Sequence, residues 1–145
     1  MIIRFSIPNG NMEINTDTFF QEANKTTIRK MLKYLKASNP DPEAVQGLKD
    51  WLQGEIQKEK DKAARYAVVN VSQRTTLKEL EDQYDHMCSP CYAAYTKDKE
   101  KLAEAKKVIS RCRARVTTSS REFDKAKRDM DRWTDILKIV EKTGL

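Results

Sequence analysis

Histidine occurs once in this 145-residue chain, cysteine three times, and glycine and proline four times each. Each scarcity removes a class of chemistry. Gly10, Gly47, Gly54 and Gly144 stand alone, so there is no glycine-rich loop to cradle a phosphate, and a single histidine leaves no helical pair for a metal. Three cysteines without framework spacing read as thiols rather than as a disulfide scaffold. No window approaches the roughly 18 apolar residues of a membrane span. The first ten residues, MIIRFSIPNG, lack both a basic region and a long apolar run. The expectation is therefore an intracellular, cytoplasmic protein with no membrane contact and no cofactor. A small head carried on long helices offers no deep pocket, so an enzyme is not expected.

What the chain does have is charge. Charged residues make up 34% of it against 39% hydrophobic, the balance of a protein rich in long amphipathic helices. The net charge of +6 comes from 28 basic and 22 acidic residues. That is a mixed surface, suited to an acidic partner without demanding one.

The fold class expected is mainly α with a small N-terminal β-hairpin and a long antiparallel helical hairpin of coiled-coil type. Residues 1–56 read as the head and 57–145 as the helical hairpin. Two short strand-like runs flank Pro8, Asn9 and Gly10. Their common face, Ile3, Phe5, Ile7, Met12 and Ile14, needs a cover, because two strands alone are not stable in water. Phe19, Phe20, Ile28, Met31, Leu32 and Leu35 supply it, with Thr26 or Thr27 as a helix cap and Lys33 and Lys36 at the helix's negative end. Asp41 caps and Pro42 starts the next helix, whose stripe is Val45, Leu48, Leu52 and Ile56 with Trp51 beside it. The β-branched run AVVNVSQRTT, followed by Thr76 and Glu79 at capping-box spacing, predicts an interruption near Asn70 to Thr75.

Beyond it a heptad stripe runs Leu77, Leu80, Tyr84, Met87, Cys91, and after a stutter Tyr95, Asp98, Leu102, Ala105, Ile109, Cys112, Val116, Ser119, Phe123, Ala126, Met130, Trp133, Leu137, Val140. Two helical arms of similar length can pair antiparallel, which brings Trp133 back to Trp51. The first arm, 41–88, carries ten acidic and seven basic residues and the second, 89–145, nine and fifteen, so their charges are complementary. Pairing with a second copy, a homodimer, is the competing geometry. Polar Ser119 and Asp98 on the stripe fix register.

Two clusters are candidate sites. His86, Cys88 and Cys91 supply three of the four ligands a structural zinc requires. The fourth candidate, Cys112, lies 21 residues from Cys91, about 32 Å along a helix. A redox pair lacks its usual βαβ setting. Ser89 and Pro90, a good cap and a good first helical residue, make an elbow the favoured reading. The second cluster is the basic block from Lys106 to Arg121, with six cations and no acid. Its Lys106, Lys107, Arg111, Arg113 and Arg115 could contact a partner or a nucleic-acid backbone. No aromatic residue interleaves with them to stack on bases.

The order IIRF, NGNMEINTDTFF, IRKMLKYLK and then a charged helical tail resembles the layout of small phage and mobile-element proteins. The resemblance covers the first third of the chain and carries no functional residue. It implies a non-enzymatic protein that binds a protein partner in the host cytoplasm, in its most specific form an anti-defence inhibitor of the anti-CRISPR kind acting on a host nuclease or defence complex.

Overall fold

The computed structural model describes residues 1–89 and 99–145. Two strands, β1 (Ile2–Ile7) and β2 (Gly10–Asn15), precede four helices: α1 (Thr16–Glu22), α2 (Lys25–Ala37), α3 (Pro42–Met87) and α4 (Lys99–Thr143). The chain divides into two compact units. The first joins residues 1–60 to 128–145, so the end of α4 belongs with the N-terminal elements; the second is 61–127. In both, α3 and α4 pack antiparallel, as the similar lengths and complementary charges of the two arms suggest.

The first unit is built on the hairpin. β1 and β2 pair antiparallel with Ile3 opposite Ile14 and Phe5 opposite Met12, and Gly10 takes φ +132°, a backbone conformation side chains rarely adopt. Ile3, Phe5 and Ile14 are buried against Phe20, Ile28, Leu32, Leu35, Val45, Leu48 and Leu52, with Trp133, Ile136, Ile139 and Val140 of α4 completing the core. The expected meeting of tryptophans occurs: the rings of Trp51 and Trp133 lie edge to face, 5.4 Å between centroids. Asp41 accepts hydrogen bonds from the backbone of Ala44 and of Ser6, tying the start of α3 to β1.

Local details differ from expectation. The run TDTFFQE forms a helix of its own, capped by Asn15, and α2 is capped by Asn24 instead of Thr26 or Thr27. Both asparagines accept from backbone N–H groups in the next turn, as a cap should. The C-terminal end of α1 is held by Arg132 of α4, whose Nη2 donates to the carbonyls of Phe20, Gln21 and Ala23. A cation here satisfies orphan carbonyls and complements the helix dipole. Charge-assisted bonds of this kind contribute about 1.5–3 kcal/mol. An Arg132→Ala variant is expected to lose stability in that range by urea denaturation, and Arg132→Lys, lacking the planar fork, to recover only part of it.

In the second unit the interruption expected near Asn70 to Thr75 is absent, since α3 is continuous from Pro42 to Met87. The β-branched residues cost only a few tenths of a kcal/mol each in a helix. Thr75 and Thr76 send their hydroxyls back to the carbonyls of Val71 and Ser72. Asn70 finds a reason to stay helical across the seam: its amide donates to Ser119 Oγ and Ser120 Oγ, each at 2.8 Å, and to the Val116 carbonyl at 3.2 Å. Ser119 is buried, as are Ala63, Ile109, Cys112 and Ala126. Val68, Val69 and Val71 stand exposed on α3.

Candidate functional site

Among the described residues, a concentration of like charge lines a concave surface in the first unit, between α2 and the last turns of α4. The pattern of α2 creates one wall. Ile28, Leu32 and Leu35 turn into the core, and Lys25, Arg29, Lys33 and Lys36, spaced four, four and three, fall on the adjacent face. From Lys25 to Ala37 there are five cations and no acid. The end of α4 forms the other wall: Ile136 and Val140 are fully buried, which leaves Asp135, Lys138 and Lys142 at the groove. The groove encloses about 800 Å³ and includes Ala37, Ile139 and Thr143 in its lining. Six cations thus face one carboxylate.

That carboxylate is committed. Lys25 Nζ lies 2.8 Å from Asp135 Oδ2 and bridges the two walls. The hydrogen bond and charge of Lys25 hold the Asp135 carboxyl below its ordinary value of 3.8 against an opposing contribution from desolvation, and the charge of Lys138 adds to the lowering. Among the described residues no direct ion pair engages Arg29, Lys33, Lys36, Lys138 or Lys142. Five clustered cations therefore repel one another with little internal compensation, and an anionic ligand would relieve that repulsion. The ammonium of Lys36 lies over Gly144, where φ is +79° and α4 has just ended.

Because the Asp135 shift is downward, its contribution to stability is present above the ordinary carboxylate value and is lost as the pH falls through the folded-state value, below 3.8. The melting temperatures of wild type and Asp135→Asn, followed from pH 7 to pH 2, are expected to differ by a constant gap that closes in that acid window.

The residues singled out from sequence lie elsewhere. Lys106, Lys107, Arg111, Arg113 and Arg115 are exposed on α4 in the second unit. Arg113 is bound through Nε and Nη2 to Glu81 Oε1, at 3.2 and 3.0 Å, and Lys106 Nζ sits 6.0 Å from the centre of the Tyr84 ring. Lys107, Arg111 and Arg115 project outward without forming a wall of any described cavity. His86 and Cys88 are exposed near the end of α3, while Pro90 and Cys91, and with them half of the expected elbow, lie outside the described residues. Cys112 is buried and its thiol donates to the Gln73 carbonyl at 3.7 Å. Among the described residues no three His, Cys, Asp or Glu side chains are grouped to hold a metal ion, and no helix is long and apolar enough to cross a membrane.

The α2 stripe was open to view in the sequence as an acid-free run of cations at helical spacing. Its convergence with Lys138 and Lys142, about a hundred residues away, was not. No protein-family model, curated protein or solved structure matches the chain.

Proposed function

We propose that the protein is a non-enzymatic nucleic-acid-binding protein that holds a phosphate backbone in the groove between α2 and α4. The observation that carries this is the convergence of six cations from two helices on a surface with one carboxylate. Lys25 to Lys36 extends about 16 Å at 1.5 Å per residue. A single phosphate group cannot engage such a row, whereas one strand of a duplex, rising about 3.4 Å per nucleotide, presents about five phosphates over it.

The test is a salt titration with a labelled duplex. Five phosphate contacts give a slope of log affinity against log salt near −4.5, equivalent to about a five-hundredfold loss between 50 and 200 mM. Asp135→Asn, which removes the one carboxylate, is expected to bind more tightly. Salt-independent binding, or binding only to anionic vesicles or to an acidic protein, would refute the proposal.

A protein partner is favoured by a separate feature, the exposed Val68, Val69 and Val71 on α3. In this second reading the chain docks by a helix face onto a nucleic-acid-handling complex, as the phage-type layout implies. A complex captured by wild type and lost by a Val68→Ser, Val71→Ser double variant would support it, and one retained by that variant would exclude this face.

A further inference from the structure

We infer that the groove's ligand is single-stranded nucleic acid, with a base stacked on Tyr34; this rests on the backbone-binding role proposed above. Among the described residues Tyr34 is the one exposed aromatic side chain, with 61% of its surface accessible. The phenylalanines and tryptophans and the rings of Tyr66 and Tyr84 are buried or half-buried. Tyr34 sits on α2 itself. At 100° per residue, Lys33 lies on the groove side, Lys30 turns further toward solvent, and Tyr34 follows Lys30 by one turn. Both Lys30 and Lys33 are exposed. Cations therefore lead from the groove over the solvent face of α2 to the ring.

Chemistry separates the two possible forms of the ligand. A duplex keeps its bases stacked inside and offers the groove only phosphates, so it has no use for an aromatic ring beside the cations. A single strand exposes the faces of its bases, and a positively charged track flanked by an aromatic platform is what such a strand needs. The groove cannot supply that platform from its own lining, where Ala37, Ile139 and Thr143 are the uncharged members. With phosphates held by Lys33 and the groove cations, a base directed outward over α2 meets Tyr34.

The experiment compares an oligothymidylate with a duplex of the same length by fluorescence anisotropy, using wild type, Tyr34→Ala and Tyr34→Trp of the full chain, each checked for an unchanged melting temperature. Tyr34→Ala is expected to lose about 5- to 100-fold in affinity for the single strand and to leave duplex binding unchanged. Tyr34→Trp retains or improves single-strand binding. If Tyr34→Ala binds the oligothymidylate as wild type does, or loses both ligands equally, stacking on Tyr34 is overturned while the groove reading stands. If wild type binds neither oligonucleotide, both fall.

Discussion

Replacing Arg29, Lys33, Lys36 and Lys142 together by glutamine is expected to abolish most nucleic-acid affinity at physiological salt and to flatten the salt dependence. Each phosphate neutralised contributes about −0.9 to the slope on a duplex, so a surface left with Lys138 of its five unpaired cations should show a slope near −1 in place of −4.5. At 50 mM salt the loss is expected to exceed a hundredfold, because the electrostatic contribution supplies essentially all sequence-independent affinity. All four residues are exposed and none has a direct ion pair among the described residues. The variant should therefore fold normally, with relief of mutual repulsion if anything raising its melting temperature. A parallel variant with Lys107, Arg111 and Arg115 changed to glutamine separates the groove from the second unit's basic block. A wild-type slope in the first variant and a flattened one in the second would move the site to the block.

The largest stability effect is expected at Trp133. Its ring is almost fully buried, meets Trp51 edge to face, and through Trp51 touches Phe20, whose centroid is 5.8 Å from that of Trp51. Truncating a buried tryptophan costs about 3–5 kcal/mol in lost transfer energy and residual cavity. The aromatic geometry adds about 0.5–1.5 kcal/mol per pair to what area alone would give. Trp133→Ala should lower the urea midpoint strongly, and Trp133→Phe, which preserves an aromatic edge, much less. Because Trp133 and the groove residue Asp135 sit on one helical segment, the alanine variant should also weaken oligonucleotide binding at temperatures where it remains folded. A small change in midpoint would mean that the end of α4 is only loosely tied to the N-terminal core.

The parts of the fold that could be anticipated are those where neighbouring residues agree. Pro8, Asn9 and Gly10 between alternating apolar residues specify the hairpin, and Asp41 with Pro42 specifies the start of α3, because turn and cap chemistry is decided within a few residues. The meeting of Trp51 and Trp133 followed from the heptad stripe and one fold-back. Local inference failed where a small preference was set against packing. Val68 to Thr76 is weak helix sequence, yet Asn70 gains hydrogen bonds across the seam that no local rule could supply. The α1 helix was hidden because its cap, Asn15, is also the last residue of β2.

The candidate site was half legible for the same reason. Attention to the acid-free run with the most cations favours Lys106 to Arg121, where they spread around the helix and Arg113 is bound to Glu81. The stripe of Lys25, Arg29, Lys33 and Lys36 on α2 has fewer cations but is confined to one face, and only the fold brings Lys138 and Lys142 opposite it. Convergence, not the number of cations in one run, makes an electrostatic site, and convergence between residues a hundred positions apart is a property of the tertiary structure.

The Asn70 layer has a consequence for how the two arms can be assembled. Sliding α4 by one heptad in either direction would present Cys112 or Ala126 where Ser119 now stands. Neither has a hydroxyl to receive the amide, so the slipped arrangement would leave Asn70 only a backbone carbonyl to donate to and would lose a hydrogen bond worth about 0.5–1.5 kcal/mol. An otherwise repetitive apolar stripe would tolerate several alignments of nearly equal energy. One asparagine thus acts as a detent, holding a sequence of small, interchangeable side chains to a single setting.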